Sequence, residues 1–154
     1  MSRPEEAAAI FKKGFNCSES VLSVFAKDYG LSVSKAQKIA SGFGGGIGRM
    51  AETCGAVTGA VMAIGLHSGM YYPKDPFKSN EVTYQLVGEF LRRFKAKHNT
   101  VICRELLGYD ISNRQTLLEV RKLGLFRSVC PQFVKDAVEI AEALIKEHPA
   151  PKKS

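Results

Sequence analysis

The residues with the most chemistry to offer are four cysteines, Cys17, Cys54, Cys103 and Cys130, in a chain of 154 residues. Tens of residues separate each from the next, so none forms the C-x-x-C pair of a thioredoxin or a zinc finger. Spacing alone therefore assigns no site. Position says more: the flanking sequence places Cys17 at the start of a second helix, Cys54 at the opening of a central one, Cys103 at the start of a short one and Cys130 at the N-cap of the last. A helix N-terminus presents unpaired N–H groups and about half a positive charge, which favours a thiolate over a thiol. Two chemistries use such an arrangement. If the helix ends converge, three or four thiolates bind an iron–sulfur cluster or a single metal ion. If they meet in pairs, low-pKa thiols cycle with disulfides or carry a persulfide. Against both stands plain packing, because free cysteine is among the most buried residue types.

Other groups offer less. His67 ends the central helix, about 19 Å along it from Cys54 at 1.5 Å per residue, too far to share its site. His98 and His148 end helices and complement their dipoles. There is no Ser/His/Asp arrangement and no acidic metal motif. Arg49 and Glu52, just before Cys54, are placed either to tune its charge or to face solvent.

The elements that must position these thiols centre on the stretch from Ser41 to Gly69. Gly55, Gly59 and Ala63 fall four apart, as do Ala56 and Ala60, and residues four apart share a helix face. Glycine costs about 1 kcal/mol against alanine inside a helix, so a row of them implies the close approach of another backbone or a cofactor. Gly55 and Gly59 are accordingly the candidate cofactor-binding positions. Val57, Val61, Met62, Ile64 and Leu66 cover the other sides, which predicts a helix buried at the centre of the fold. The preceding glycines, Gly42, Gly44, Gly45, Gly46 and Gly48, match neither G-x-G-x-x-G nor a P-loop. They predict a flexible or tightly turned approach, with Thr53 as N-cap of the central helix.

Around this centre the signals are helical throughout. Pro4 begins a helix that Gly14 ends, and Asn16 with Glu19 makes a capping box. The segment MYYPKDPFKSN reads as loop, followed by a helix from Asn80 to about Lys97 in which Val82, Leu86, Phe90 and Phe94 recur every four residues. Ser112 and Gln115 repeat the capping-box form, and Pro131 opens a final amphipathic helix. No alternating strand pattern of useful length occurs. The fold class expected is all-α: one domain over residues 1–148, with six to eight helices, and a flexible tail over 149–154.

Hydrophobic content of 45% and charged content of 24% are those of an ordinary globule. The first fifteen residues contain acidic groups and no apolar core region, unlike a signal or transit peptide, so a cytoplasmic location is expected. The longest apolar run is too short to cross a bilayer. Net charge is +7, with Arg92, Arg93, Lys95, Lys97 and His98 as the densest basic group. Lacking interleaved aromatics, that group reads as a solvated helix face rather than a nucleic-acid tracker. A positive surface also suits an acidic protein partner or an anionic small molecule.

Cys17, the block Cys54-Gly55-Ala56-Val57-Thr58-Gly59, Cys103 within CRELLG, and Cys130 together resemble the family of redox-active proteins named for its C_GCAxxG_C_C pattern. The resemblance covers about Cys17 to Leu144. Thr53 precedes the central cysteine here, and Cys-Gly-Ala stands where the pattern has Gly-Cys-Ala. The resemblance implies a small helical protein of electron or thiol transfer, acting with a redox partner protein, in which the four cysteines are the functional residues and a metal or iron–sulfur site is suspected. The reading from a different class is a non-catalytic helical binding module, with packing cysteines and a small-residue groove for a partner helix or apolar ligand. A homo-oligomer is compatible with either.

Overall fold

A computed structural model describes residues 1–150. Among the described residues it has eight α-helices of five residues or more and one further single turn: α1 (Arg3–Lys12), α2 (Cys17–Ala26), α3 (Val33–Ala40), α4 (Gly55–Ser68), α5 (Pro76–His98), α6 (Cys103–Leu107), α7 (Arg114–Leu123), the turn α8 (Leu125–Ser128) and α9 (Cys130–Glu147). The only extended pairing among them is a single antiparallel bridge between Thr53 and Ile102, so the chain is an all-α bundle. The part of the expected tail beyond Ala150 lies outside the described residues. No described helix is long and apolar enough to cross a membrane.

Helix α4 occupies the centre, with Ala56, Val57, Ala60, Ala63 and Ile64 fully buried. Its neighbours are α2, α5 and α9. The small-residue face meets α2: a Cβ added at Gly59 would lie 2.9 Å from both the Ser18 carbonyl oxygen and the Val21 Cβ, and one at Gly55 would lie 3.0 Å from the Cys17 Cβ. What the glycines admit is a second helix backbone. Phe25, Phe90, Phe94, Val134 and Leu144 fill the remaining core around α4. A smaller cluster of Ala51, Leu107, Ile111, Leu117 and Val120 lies under α6 and α7, and Cys103 and Cys130 pack against it.

Local chemistry moves several boundaries from their expected places. Pro76 opens α5 with Asp75 as N-cap, the Lys78 N–H donating to the Asp75 carboxylate at 3.0 Å, so the helix begins inside the segment expected to be loop. Asn113, rather than Ser112, caps α7, accepting from the N–H groups of Gln115 and Thr116. Ser112 is held by Asp110 instead. Cys54 itself is the N-cap of α4, because Thr53 is engaged in the bridge. Val129 takes the N-cap of α9, leaving Cys130 as its first helical residue.

One buried carboxylate pins α9 to α5. Asp136, 2% exposed, accepts from Lys97 Nζ at 3.0 Å and Gln132 Nε2 at 2.9 Å, and pairs with His98 Nε2 at 2.8 Å. Burial alone would raise its pKa, but these three partners outweigh burial and hold it below the ordinary carboxylate value. A carboxylate depressed on folding adds stability above its unfolded pKa, and that stability is lost as pH falls through the folded value. Asp136→Asn should therefore cost about 2 kcal/mol at neutral pH and remove part of the acid-limb loss of stability. Urea unfolding at neutral and acidic pH measures both; equal losses at the two would contradict the assignment.

Candidate functional site

Each cysteine is placed by a different piece of local chemistry. Cys17 is the first residue of α2, whose N-cap Asn16 forms the expected capping box: Asn16 accepts from the Glu19 N–H at 2.9 Å and its own N–H donates to the Glu19 carboxylate at 2.8 Å. The Asn16 amide also donates to the Ser41 carbonyl at 3.0 Å, tying the start of α2 to the glycine loop. Beyond that contact, five consecutive residues, Gly45 to Arg49, adopt left-handed backbone, with φ between 58° and 73°. Left-handed conformation costs an L-residue about 1–2 kcal/mol, which glycine at three of the five positions reduces. The loop is cross-tied by N–H donation from Gly48 to the Gly42 carbonyl, Ala51 to Gly45 and Glu52 to Gly46, at 2.8, 3.0 and 2.9 Å. A Cβ at Gly46 would lie 2.6 Å from the Glu52 nitrogen, so no other residue fits there without moving backbone. The loop is tightly turned, one of the two expected forms.

The loop delivers residues 52–54 to residues 101–103. Cys54 N–H donates to the Val101 carbonyl at 2.8 Å and Cys103 N–H donates to the Glu52 carbonyl at 2.6 Å. This pairing makes Cys54 and Cys103 diagonal neighbours across the bridge, a relation that spans about 7–8 Å. Cys130 reaches the same place from the far side, at the head of α9.

All four cysteines line one cavity of about 930 Å³, and all four are free thiols. Cys54 is buried at 5% exposure, and the other three are partly buried. Cys17 and Cys130 influence one another directly. The neighbouring Cys17 thiol lowers the Cys130 pKa against the opposing effect of burial. Cys130 first, then burial and the other cysteines, drive Cys17 well above the ordinary thiol value. Burial pushes Cys54 up to about 12, although the Ala56 and Val57 N–H groups favour its thiolate. Cys103 is pushed up to about 11, by burial first and then by Cys130 and Asp110. The expectation that helix starts would give four low-pKa thiols is not met: Cys130 alone is lowered, by its neighbour Cys17 rather than by a helix end. Cys130 in turn raises Cys17, and burial raises Cys54 and Cys103.

No group of three or more Cys, His, Asp or Glu side chains among the described residues is arranged to hold a metal ion. The four thiols as placed do not form a cage for the suspected metal or cluster. Of the candidate cofactor-binding glycines, Gly55 lines the cavity, while Gly59 lies against α2. Arg49 lines the cavity; Glu52 instead pairs with Arg104 at 3.4 Å. His67 is engaged elsewhere, with the Tyr29 hydroxyl and the His148 carbonyl. Sequence reasoning missed Lys12, Arg121 and Arg127, which line the same cavity. They come from the ends of α1, α7 and α8, and no local signal joins them.

An all-α bundle that turns four free thiols into one cavity defines a class of helical four-cysteine proteins. The chain belongs to the family described as "Putative redox-active protein (C_GCAxxG_C_C)", whose profile matches residues 15–144. No curated protein and no solved structure matches it.

Proposed function

We propose that this protein exchanges electrons by thiol–disulfide chemistry, with Cys130 as the attacking thiolate and Cys17 as the resolving thiol. The observation that carries this reading is the shared cavity, lined by all four free thiols, in which Cys17 and Cys130 act directly on each other's ionisation. The Cys130 thiolate attacks one sulfur of a substrate disulfide, forming a mixed disulfide and expelling the first substrate thiolate. That thiolate takes up a proton, and Cys17 loses one. The Cys17 thiolate then attacks the Cys130 sulfur, closing a Cys17–Cys130 disulfide and releasing the second substrate thiolate, which takes a proton from water. Two electrons pass to the substrate, and a redox partner protein returns them.

Peptide mapping after oxidation with hydroxyethyl disulfide and alkylation tests the assignment. The expected product is a Cys17–Cys130 crosslink formed before any link to Cys54 or Cys103. A protein that keeps four unreacted thiols would support the binding-module reading instead, and stoichiometric iron and sulfide in anaerobically purified protein would replace thiol exchange with a cluster.

A further inference from the structure

Resting on the thiol–disulfide reading, the geometry points to a substrate class: we infer that the cavity takes a small, anionic disulfide, one carrying carboxylate or phosphate groups beside its sulfur–sulfur bond. Four cationic side chains, Lys12, Arg49, Arg121 and Arg127, line the cavity, and no aspartate or glutamate does. Among the described residues none of the four has an ion-pair partner, unlike Arg3, Arg93 and Lys97, which are matched by carboxylates. Other surface cations such as Lys35 and Lys38 are unpaired there too; what sets the four apart is that they line one cavity that has no acidic side chain in its wall. Asp110, whose charge reaches Cys103, turns its carboxylate onto the Ser112 N–H and hydroxyl, at 3.0 Å for the N–H. The cavity rim is thus a positive field without internal neutralisation.

That field comes from four separate places: the last turn of α1, the left-handed loop, the last turn of α7, and α8. A lysine or arginine in a final helical turn complements the dipole of its own helix, which accounts for Lys12 or Arg121 singly. It does not account for the presence of all four around one cavity, nor for Arg49, which is in no helix. Phe126 and Phe133 give the cavity an apolar wall, so the site offers a lining for the body of a ligand and a rim for its charges. Its volume of about 930 Å³ lies in the range of small-molecule sites. Cys54 at 5% exposure and the partly buried pair call for a substrate that enters, and a small molecule does so more readily than a disulfide on a folded protein surface.

A charge series of aliphatic disulfides tests this on the full, reduced protein: dithiodipropionate (anionic), hydroxyethyl disulfide (neutral) and cystamine (cationic), with each rate divided by that of mercaptoethanol at the same pH and salt. The anionic probe should exceed the neutral one by about tenfold in this normalised rate, and the cationic probe should be slowest. Raising the salt should narrow the spread. In the Arg121→Glu/Arg127→Glu double variant, both sites being exposed, the anionic-to-neutral ratio should fall about tenfold, with circular dichroism reporting retained helix. A fast reaction with all three probes and no charge preference would overturn the substrate class while leaving thiol exchange standing. Failure to react with any probe faster than mercaptoethanol would overturn thiol exchange and this inference together. Reduction of an acidic protein disulfide faster than every small probe would overturn the small-molecule assignment.

Discussion

Cys130→Ser should slow the reaction of the reduced protein with hydroxyethyl disulfide by about tenfold or more, a larger loss than the same change at any other cysteine. The reason is thiolate population. A thiol with a pKa of about 11, as at Cys103, is ionised to about one part in ten thousand at neutral pH, and one of about 12, as at Cys54, to about one in a hundred thousand. Cys130 lies below the ordinary thiol value, so its thiolate fraction exceeds that of Cys103 by at least about a hundredfold. Higher basicity makes the rarer thiolates more nucleophilic, with a Brønsted slope of about 0.4–0.5. That returns about tenfold of the difference and leaves about tenfold in favour of Cys130. Cys17→Ala provides the complementary readout. Alanine removes the neighbouring donor that lowers Cys130, so the Cys130 pKa should move up and the rate-against-pH profile shift to higher pH, while the mixed disulfide accumulates because nothing resolves it. Stopped-flow rates across pH and intact-mass trapping of the adduct measure the two effects. An unchanged pH profile in Cys17→Ala would break the link between the pair.

How much of this was legible in the string depends on how local each cause is. The capping box of Asn16 and Glu19 is a three-residue device with its own hydrogen bonds, and it occurs where the sequence places it. The row of Gly55 and Gly59 likewise announced a close approach, though not whether a helix or a cofactor would make it. Thr53 misled because its competing partner, Ile102, is remote in sequence and forms an isolated bridge, which has no alternating pattern to betray it. Pro76 misled for the opposite reason: two prolines and polar neighbours look like loop, yet Asp75 followed by Pro76 is also how a helix begins. The convergence of the thiols was the least legible feature. It depends on five left-handed residues and one bridge, and the sequence marks the first only as a glycine-rich run. Burial was illegible for a related reason: the solvent removed from Cys54 and Cys103 is displaced by residues far along the chain, and that displacement decides their ionisation.

Gly59→Val should destabilise the protein by about 3 kcal/mol and disturb the site from a distance. The position is helical, and valine gains over glycine in intrinsic helix propensity by less than about 1 kcal/mol. Against that gain stands contact on the α2 side. The Cβ alone would lie 2.9 Å from the Ser18 carbonyl oxygen and 3.2 Å from its Cα, and 2.9 Å from the Val21 Cβ, before either γ-methyl is placed. The Ser18 atoms are backbone, so no rotamer change relieves them. Helix α2 must move away from α4, and Cys17 at its first position moves with it. The lowering of Cys130 depends on the nearness of Cys17, so the variant should also show the upward shift in pH–rate profile expected of Cys17→Ala, though neither thiol has been altered. Gly59→Ala, with only the Cβ to accommodate, should show both effects in smaller degree. Urea unfolding together with the pH–rate profile separates the outcomes: lost stability with an unmoved profile would mean that the small-residue face holds the core together without setting the register of the thiols.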